Sequence, residues 1–201
     1  QMAGSVTDRR GGSDVVDVED AMPVEGPFES VLDAARSGAE WAWARLVDDI
    51  DATLRGYVRG QGGVDIDDLV GETWLHVVRG LRKFQGDGNA FRSWVFMIAH
   101  HRIIDERRRR RRKPTDLTEE VVLDRVSPST HSAESAAMER FGDEEFIHTL
   151  EQLSPDQREV LLLRFGAGFG IKEIAGIVGK KPGAVQALQR RAFRRLERNL
   201  R

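Results

Sequence analysis

The sequence predicts an all-α protein made of two small helical domains joined by a flexible acidic linker, with a helix-turn-helix in the C-terminal domain. Apolar residues recur at every third or fourth position from Phe28 onward and again from about Ala137, which is the period of amphipathic helices. No stretch alternates apolar and polar residues as a half-buried strand would. The segment between the two helical parts is rich in acidic residues, serine and threonine, which is typical of a linker.

The composition excludes several classes of protein. The chain of 201 residues has no cysteine, which excludes disulfides, thiolate catalysis and cysteine-ligated metals. Its longest apolar run, residues 94–99, is far shorter than the roughly 20 residues that span a bilayer. The sequence lacks the pattern of an export signal, which is a basic start followed by an apolar stretch. We therefore expect a cytoplasmic protein without membrane insertion.

The N-terminal domain is predicted to span residues 28–113. It follows residues 1–27, an acidic tail without a helical period that we expect to be disordered. The first helix begins at Phe28 and stops at Ser37 and Gly38. A second helix is predicted over residues 39–59. Its apolar stripe consists of Trp43, Leu46, Val47, Ile50, Leu54 and Val58.

Two further helices complete this domain. Carboxylates from Asp65 to Asp68 cap the third helix, because they accept hydrogen bonds from the free N–H groups of a helix start, and this helix is predicted to run to about Phe84. The polar residues 85–89 form a loop. The fourth helix is predicted from Ala90 to about Arg112.

The linker is predicted over residues 114–137, which begin with a helix-ending proline. The C-terminal domain then occupies residues 138–201. Its helices are predicted near residues 138–152, 155–165, 171–178 and 183–199.

The charges along the chain are strongly segregated although the total is only -2. Residues 79–113 carry a net charge of +9 and residues 180–201 a net charge of +7, whereas the intervening residues 114–160 carry -9. Two basic blocks held apart by an acidic one indicate two contact sites for a polyanion. The alternative is that they are two solvated helix faces.

The C-terminal domain contains the pattern of a helix-turn-helix. Ala175 permits a close helix crossing, Gly179 supplies a turn with positive φ, and a second helix begins near Pro182. That helix has one apolar face, and its other face presents side chains able to bond base edges and phosphates: Gln186, Gln189, Arg190 and Arg194. The alternative is a helical hairpin with a polar face.

The loop before the fourth helix combines an aromatic residue with polar and cationic groups. These residues are Lys83, Phe84, Gln85, Asp87 and Asn89. An aromatic ring beside polar groups is suited to an unstacked base, because stacking contributes about 1–3 kcal/mol per base. The alternative is that Phe84 and Phe91 are core residues.

The patterns expected of enzymes, metal sites and cofactor sites are missing from the sequence. Glycines 166, 168 and 170 lack the spacing and the preceding strand of a dinucleotide loop. Asp65, Asp67 and Asp68 lack the distal glutamate of a calcium loop, and no two histidines have a metal-ligand spacing. We expect no cofactor, no metal and no catalytic activity.

Two motifs carry a resemblance to a known family. The run Asp67-Asp68-Leu69-Val70-Gly71-Glu72-Thr73-Trp74, followed by Phe84, Phe91-Arg92-Ser93-Trp94 and Asp105, resembles region 2 of bacterial sigma factors of the extracytoplasmic-function type. Residues 153–165 with the following helix-turn-helix resemble region 4 of the same family. The resemblance covers about residues 28–200 in the right order.

The resemblance implies a non-catalytic promoter-specificity subunit that joins core RNA polymerase. The third helix would dock on the clamp helices of the largest subunit, the C-terminal domain would touch the flap, and the linker would lie in the RNA exit channel. The implied polymerase contacts are Asp68, Leu69, Glu72, Trp74, Leu75 and Val78. An anti-sigma protein is a further partner that the resemblance leaves open.

The resemblance also implies two sets of contacts with promoter DNA, duplex and melted. The minus-ten contacts would be Lys83, Phe84, Gln85, Asp87, Asn89, Arg92, His100, His101, Arg107 and Arg108. The minus-thirty-five contacts would be Lys172, Lys180, Lys181, Gln186, Gln189, Arg190 and Arg194. Residues 184–189 depart from the family pattern in the recognition helix, which leaves the base preference open.

Two other functions compete with this one. A one-component regulator would use the helix-turn-helix on duplex operators, as a dimer and without polymerase. A nonspecific nucleic-acid adaptor would rest on the basic blocks alone and would bind with steep salt dependence.

Overall fold

The computed structural model describes residues 28–62, 64–112 and 149–199, and within these ranges the chain is helical, with no strand. This confirms the all-α prediction. The predicted tail, the predicted linker and most of the helix predicted over residues 138–152 lie outside the described residues.

Five α-helices form the N-terminal unit. They are α1 (Phe28–Arg36), α2 (Glu40–Asp48), α3 (Asp51–Gln61), α4 (Ile66–Gly80) and α5 (Gly88–Arg112). Fully buried side chains from α3 and α5 lie at the centre of this unit, among them Leu54, Tyr57, Phe91 and Phe96. Burial of side chains of this size is worth about 1.5–3 kcal/mol each, so the apolar stripes account for the packing.

The prediction of one helix over residues 39–59 was wrong. The chain breaks between α2 and α3 at Ile50, where φ is -126° and ψ is -35°. Three aspartates, 48, 49 and 51, surround the break, and aspartate favours helix ends because its side chain competes for backbone hydrogen bonds. The break turns α3 so that Leu46, on α2, and Leu54, on α3, both reach the core.

The start of α4 agrees with the prediction and its end does not. The Asp65 carboxylate accepts a hydrogen bond from the Asp68 N–H at 3.0 Å, as expected of a cap. The helix ends at Gly80, not Phe84, and a 3-10 turn, Leu81–Lys83, follows it. Trp94 packs so closely on Gly80 that an added Cβ would lie 2.7 Å from its ring, so only glycine fits there.

The C-terminal unit contains the predicted helix-turn-helix. Its helices are α6 (Pro155–Leu161), which continues as a π-helical turn (Leu162–Gly166), α7 (Ile171–Ile177) and α8 (Pro182–Asn199). Ser154 and Gln157 form a reciprocal capping box at the start of α6. Gly179 has φ 64° and makes the turn between α7 and α8 that its position predicts.

The two units pack directly on each other in this structure. Phe96 of α5 meets Phe169 edge to face at 5.0 Å between ring centroids. Gly60 of α3 lies against Leu162, where an added Cβ would be only 2.4 Å from the leucine side chain. No local pattern in the sequence predicts how the two units are placed.

Candidate nucleic-acid interface

The outer face of α4 combines acidic and apolar side chains. Asp68, Glu72, Leu75 and Val78 fall three or four positions apart, so they share one side of the helix. Leu75 is 54% exposed and Val78 is 51% exposed, one turn apart on this face. An exposed apolar pair beside carboxylates is typical of a protein-binding surface.

The other two predicted polymerase contacts lie on the inner side of α4. Leu69 is buried, and Trp74 is half-buried with its Nε1–H donating to Asp51 Oδ1 at 2.7 Å. The bond from Trp74 holds α4 against α3, and Leu69 packs in the core. Their direct contact with a partner stays a prediction.

The loop before α5 is built around stacked aromatic rings. The Phe84 ring stacks on Trp94 at 5.1 Å with an interplanar angle of 24°, and it meets Phe91 edge-on at 5.5 Å. Phe91 is 1% exposed and is a core residue. Phe84 is partly buried and packs against the core. Of the two faces of the Phe84 ring, one is therefore covered by Trp94.

The polar residues of this loop divide into exposed groups and a cap. The side chains of Lys83, Gln85 and Asn89 are exposed. The Asp87 carboxylate accepts a hydrogen bond from the Ala90 N–H at 2.8 Å and caps α5. Asp87 thus has a structural role in addition to the predicted one.

Three of the predicted minus-ten residues on α5 are engaged within the protein. Arg92 donates to the Ala167 carbonyl oxygen and lies over the Phe169 ring, 4.6 Å from its centroid. His100 is buried, and its Nδ1 lies 2.6 Å from Oε1 of Glu159. Arg107 donates to the backbone oxygen of Gln61 at 2.9 Å. His101 and Arg108, by contrast, are exposed.

A buried polar cluster joins the two units. Tyr57 donates its hydroxyl to the same Glu159 oxygen that meets His100, at 2.6 Å. Burial, and then the adjacent Glu159 charge, raise the pKa of Tyr57 well above its ordinary value. Tyr57 and Glu159 are not among the predicted site residues, because no local pattern relates two residues 102 positions apart.

Two arginines share one carbonyl beside this cluster. Arg158 donates to the Gln61 backbone oxygen at 3.1 Å, and Arg107 donates to the same atom. Burial, with the neighbouring Arg107 charge, lowers the pKa of Arg158. The contact between the units thus brings two like charges together.

The helix-turn-helix presents most of its predicted contacts to solvent. The side chains of Lys172, Lys181, Gln186, Arg190 and Arg194 are exposed, and Gln189 is half-exposed. Lys180 instead pairs with Asp156 at 3.1 Å. The first turn of α8 is exposed, as insertion into a major groove requires.

Every helix in the described part of the chain is too short or too polar to span a membrane. The same part of the chain holds no group of three or more potential metal ligands.

Comparisons with known proteins agree with both halves of the fold. Residues 42–113 match the family model Sigma-70 region 2, and residues 143–196 match Sigma-70, region 4. The RNA polymerase sigma factor ShbA of Streptomyces griseus, of the extracytoplasmic-function (ECF) type, is 31% identical over 134 residues, which cover 65% of this chain and 69% of ShbA. The chain belongs to the ECF family of RNA polymerase sigma factors.

Further relatives extend the comparison. The ECF sigma factor BldN of Streptomyces coelicolor is 30% identical over 172 residues, or 85% of this chain, and the match spans 64% of the length of BldN. The sigma factor RpoE of Bartonella quintana, solved with the anti-sigma factor NepR, has the same fold. Its TM-score is 0.60 at 23% identity, over 78% of this chain and 94% of RpoE.

Membership in this family decides between the functions predicted from the sequence. An ECF sigma factor has core RNA polymerase and promoter DNA as partners, and it acts in transcription initiation. The matches to regions 2 and 4 do not support a one-component regulator or a nonspecific adaptor.

Proposed function

We propose that this sigma factor binds core RNA polymerase through the outer face of α4 and acts without catalysis in the cytoplasm. The observation that carries the proposal is the exposed pair Leu75 and Val78 flanked by Asp68 and Glu72. Apolar side chains at the centre of an interface supply most of its energy, and charges at the rim fix its orientation. Leu69 and Trp74 support this face from beneath.

The loop before α5 and the polar side of α5 would recognise the minus-ten element. Lys83, Gln85 and Asn89 are the exposed groups able to select a base there, with the Phe84 ring beside them. His101 and Arg108 would hold the DNA backbone. Phosphate contacts of this kind fix register and orientation, whereas base contacts select the sequence.

The helix-turn-helix would read the minus-thirty-five element. Gln186, Gln189 and Arg190 would reach base edges, and Lys172, Lys181 and Arg194 would reach phosphates. Lys180 would have to leave Asp156 before it could join them. We also propose domain limits of 28–113 and 138–201, with the tail before the first domain and the linker between the two.

Promoter binding by Arg92, His100 and Arg107 would require the two units to separate. A guanidinium over Phe169 and an imidazole against Glu159 cannot reach a phosphate at the same time. The like charges of Arg107 and Arg158 favour opening, because separation relieves their repulsion. An anti-sigma protein is a further partner that we propose for this chain, since RpoE of Bartonella quintana, which has the same fold, was solved with one.

A binding experiment tests the proposed polymerase surface. The double variant Leu75→Asp, Val78→Asp is mixed with core RNA polymerase, and its affinity is compared with that of the unchanged chain. Trp41→Asp is the matched control, since Trp41 is a 47% exposed hydrophobic residue on α2, away from this face. We expect at least a hundredfold loss for the double variant and none for the control. Equal losses would contradict the proposal.

A further inference from the structure

Helix α1 lies outside the residues that match region 2, which begin at residue 42, yet it touches the base-reading loop at both of its ends. Three residues of α1, Val31, Leu32 and Ala35, are buried in the core and explain why the helix packs there. They do not explain what its two terminal side chains do. Those side chains are Phe28 and Arg36.

Arg36 holds the backbone at the entry to the loop. Its Nε donates to the Leu81 carbonyl oxygen at 3.3 Å, and its Nη2 donates to the Phe84 carbonyl oxygen. These two carbonyls stand at the start and just past the end of the 3-10 turn that leads from α4. A planar guanidinium has its donors at fixed positions, so the two bonds together fix how Phe84 leaves the turn.

The arginine is itself held in place. Its Nη1 pairs with Asp33 Oδ1 at 2.8 Å, one turn earlier on α1. The Arg36 side chain is 29% exposed, so its bonds to the loop are partly shielded from water. The side chain therefore acts as a brace between α1 and the loop backbone.

Phe28 supports the other end of the loop. Its ring lies 5.7 Å from the Phe91 ring, and an added Cβ at Gly88 would lie 3.4 Å from it. Between the two ends, Gly86 has φ +151°, and a Cβ there would lie 2.7 Å from Ala90. The loop is thus tightly folded over a helix that contacts both its entry and its exit.

We infer that α1 positions the base-reading loop, and that Arg36 is a positioning residue for recognition of the unstacked minus-ten strand. The inference rests on the proposed role of the loop. A loop already held in its binding geometry loses less conformational entropy on binding DNA, and its polar groups discriminate more sharply between bases. Loss of the brace weakens base selection without altering the face of α4 that binds polymerase.

The test uses polymerase reconstituted with the full chain and a single-stranded DNA library that contains a randomised segment. Base preferences are measured by selection and sequencing for the unchanged chain, Arg36→Ala and Arg36→Lys. Arg45→Ala is the matched control, because Arg45 is a half-exposed arginine on α2 whose pair with Asp49, at 3.3 Å, does not involve the loop.

We expect Arg36→Ala to lose about tenfold in discrimination at the most selective position, which corresponds to about 1.4 kcal/mol, with polymerase affinity unchanged within twofold. Hydrogen exchange of the amides of residues 84–88 should rise in the same variant and stay unchanged in the control. Arg36→Lys should give an intermediate loss, since one ammonium does not reproduce the two-pronged contact. If Arg36→Ala does not fold, the lysine variant alone decides the question.

Two results would overturn the inference, and they differ from a failure of the proposed function. Unchanged base preference with unchanged loop exchange would show that α1 does not position the loop. An equal loss of polymerase affinity and base preference would show a general defect of folding. If the unchanged chain itself selects no base from single strands, the role of the loop fails, and the inference falls with it.

Discussion

His100 and Glu159 lie in hydrogen-bonding contact across the junction of the two helical units, with Nδ1 and Oε1 2.6 Å apart. Tyr57 donates to the same oxygen, so a single buried carboxylate joins α3, α5 and α6. A buried carboxylate is costly unless its hydrogen bonds are made, and each bond to a charged group contributes about 1.5–3 kcal/mol net. The contact between the units is therefore specific and depends on these partners.

Removal of the tyrosine hydroxyl should loosen this junction. Tyr57→Phe keeps the ring and its packing on Phe96, at 5.4 Å, but takes one hydrogen bond from Glu159. We expect a loss of about 1–3 kcal/mol in the free energy of unfolding, because the carboxylate stays buried with fewer partners. Denaturant unfolding measures it. A variant as stable as the unchanged chain would contradict this account.

A wedge at Gly60 should separate the units. Gly60→Ala places a Cβ where Leu162 already lies, whereas Gly71→Ala, the control, places one in open space. Both changes raise helix propensity by about 1 kcal/mol, so that effect cancels in the comparison. We expect Gly60→Ala to increase the radius of gyration in solution scattering and to strengthen DNA binding. A variant as compact as the control would show that the junction tolerates the wedge.

High pH should weaken the same junction through Tyr57. The pKa of Tyr57 is raised well above its ordinary value of 10.0 in the folded chain, so the unfolded chain loses this proton first as pH rises. The stability that depends on the neutral hydroxyl is complete below about pH 10 and falls as pH rises above that value. Tyr57 is the single tyrosine of the chain, so the tyrosinate absorbance reports its ionisation directly. Titration at an ordinary pKa would disprove the burial.

The two sides of α4 should respond differently to substitution. Trp74→Phe removes the bond to Asp51 and should lower the free energy of unfolding by about 1 kcal/mol, while polymerase binding is retained. Leu75→Asp should weaken polymerase binding and leave the free energy of unfolding nearly unchanged, since the Leu75 side chain is 54% exposed. Thermal unfolding and a polymerase pull-down distinguish them. Loss of binding in Trp74→Phe without loss of stability would place Trp74 in the interface itself.

The recognition helix should show base selectivity on one side only. Arg190→Ala should cost about 1–3 kcal/mol and relax selectivity at one base pair of the minus-thirty-five element. Arg195→Ala is the control, because an offset of five positions puts Arg195 about 140° around α8 from Arg190. Duplex binding at fixed salt measures both. Equal and uniform losses would indicate phosphate contacts instead.

Local patterns were sufficient to predict most helices. The helix-turn-helix followed from Gly179 and the apolar stripe of α8, and the start of α4 followed from its capping aspartates. The break at Ile50 was missed because the apolar stripe of α2 and α3 continues across it. There, packing against α4 and α6 determines the chain direction, and periodicity alone cannot show it.

The predicted site residues were less complete than the fold. Residue types and spacing identified the exposed groups on α4 and α8, but they gave no sign that His100 and Arg92 contact the C-terminal unit. The loop carbonyls that Arg36 binds lie 45 and 48 positions away in sequence, and Glu159, which accepts from Tyr57, lies 102 positions away. Such contacts depend on tertiary structure and leave no local pattern.

Run-off transcription shows whether the chain acts as a sigma factor. Core RNA polymerase is supplied with fragmented DNA from the source organism, with and without this chain, and the transcription start sites are mapped. We predict new start sites preceded by two short sequence elements at a fixed separation. The absence of any new start site, with no binding of the chain to core polymerase, would contradict its role as a sigma factor.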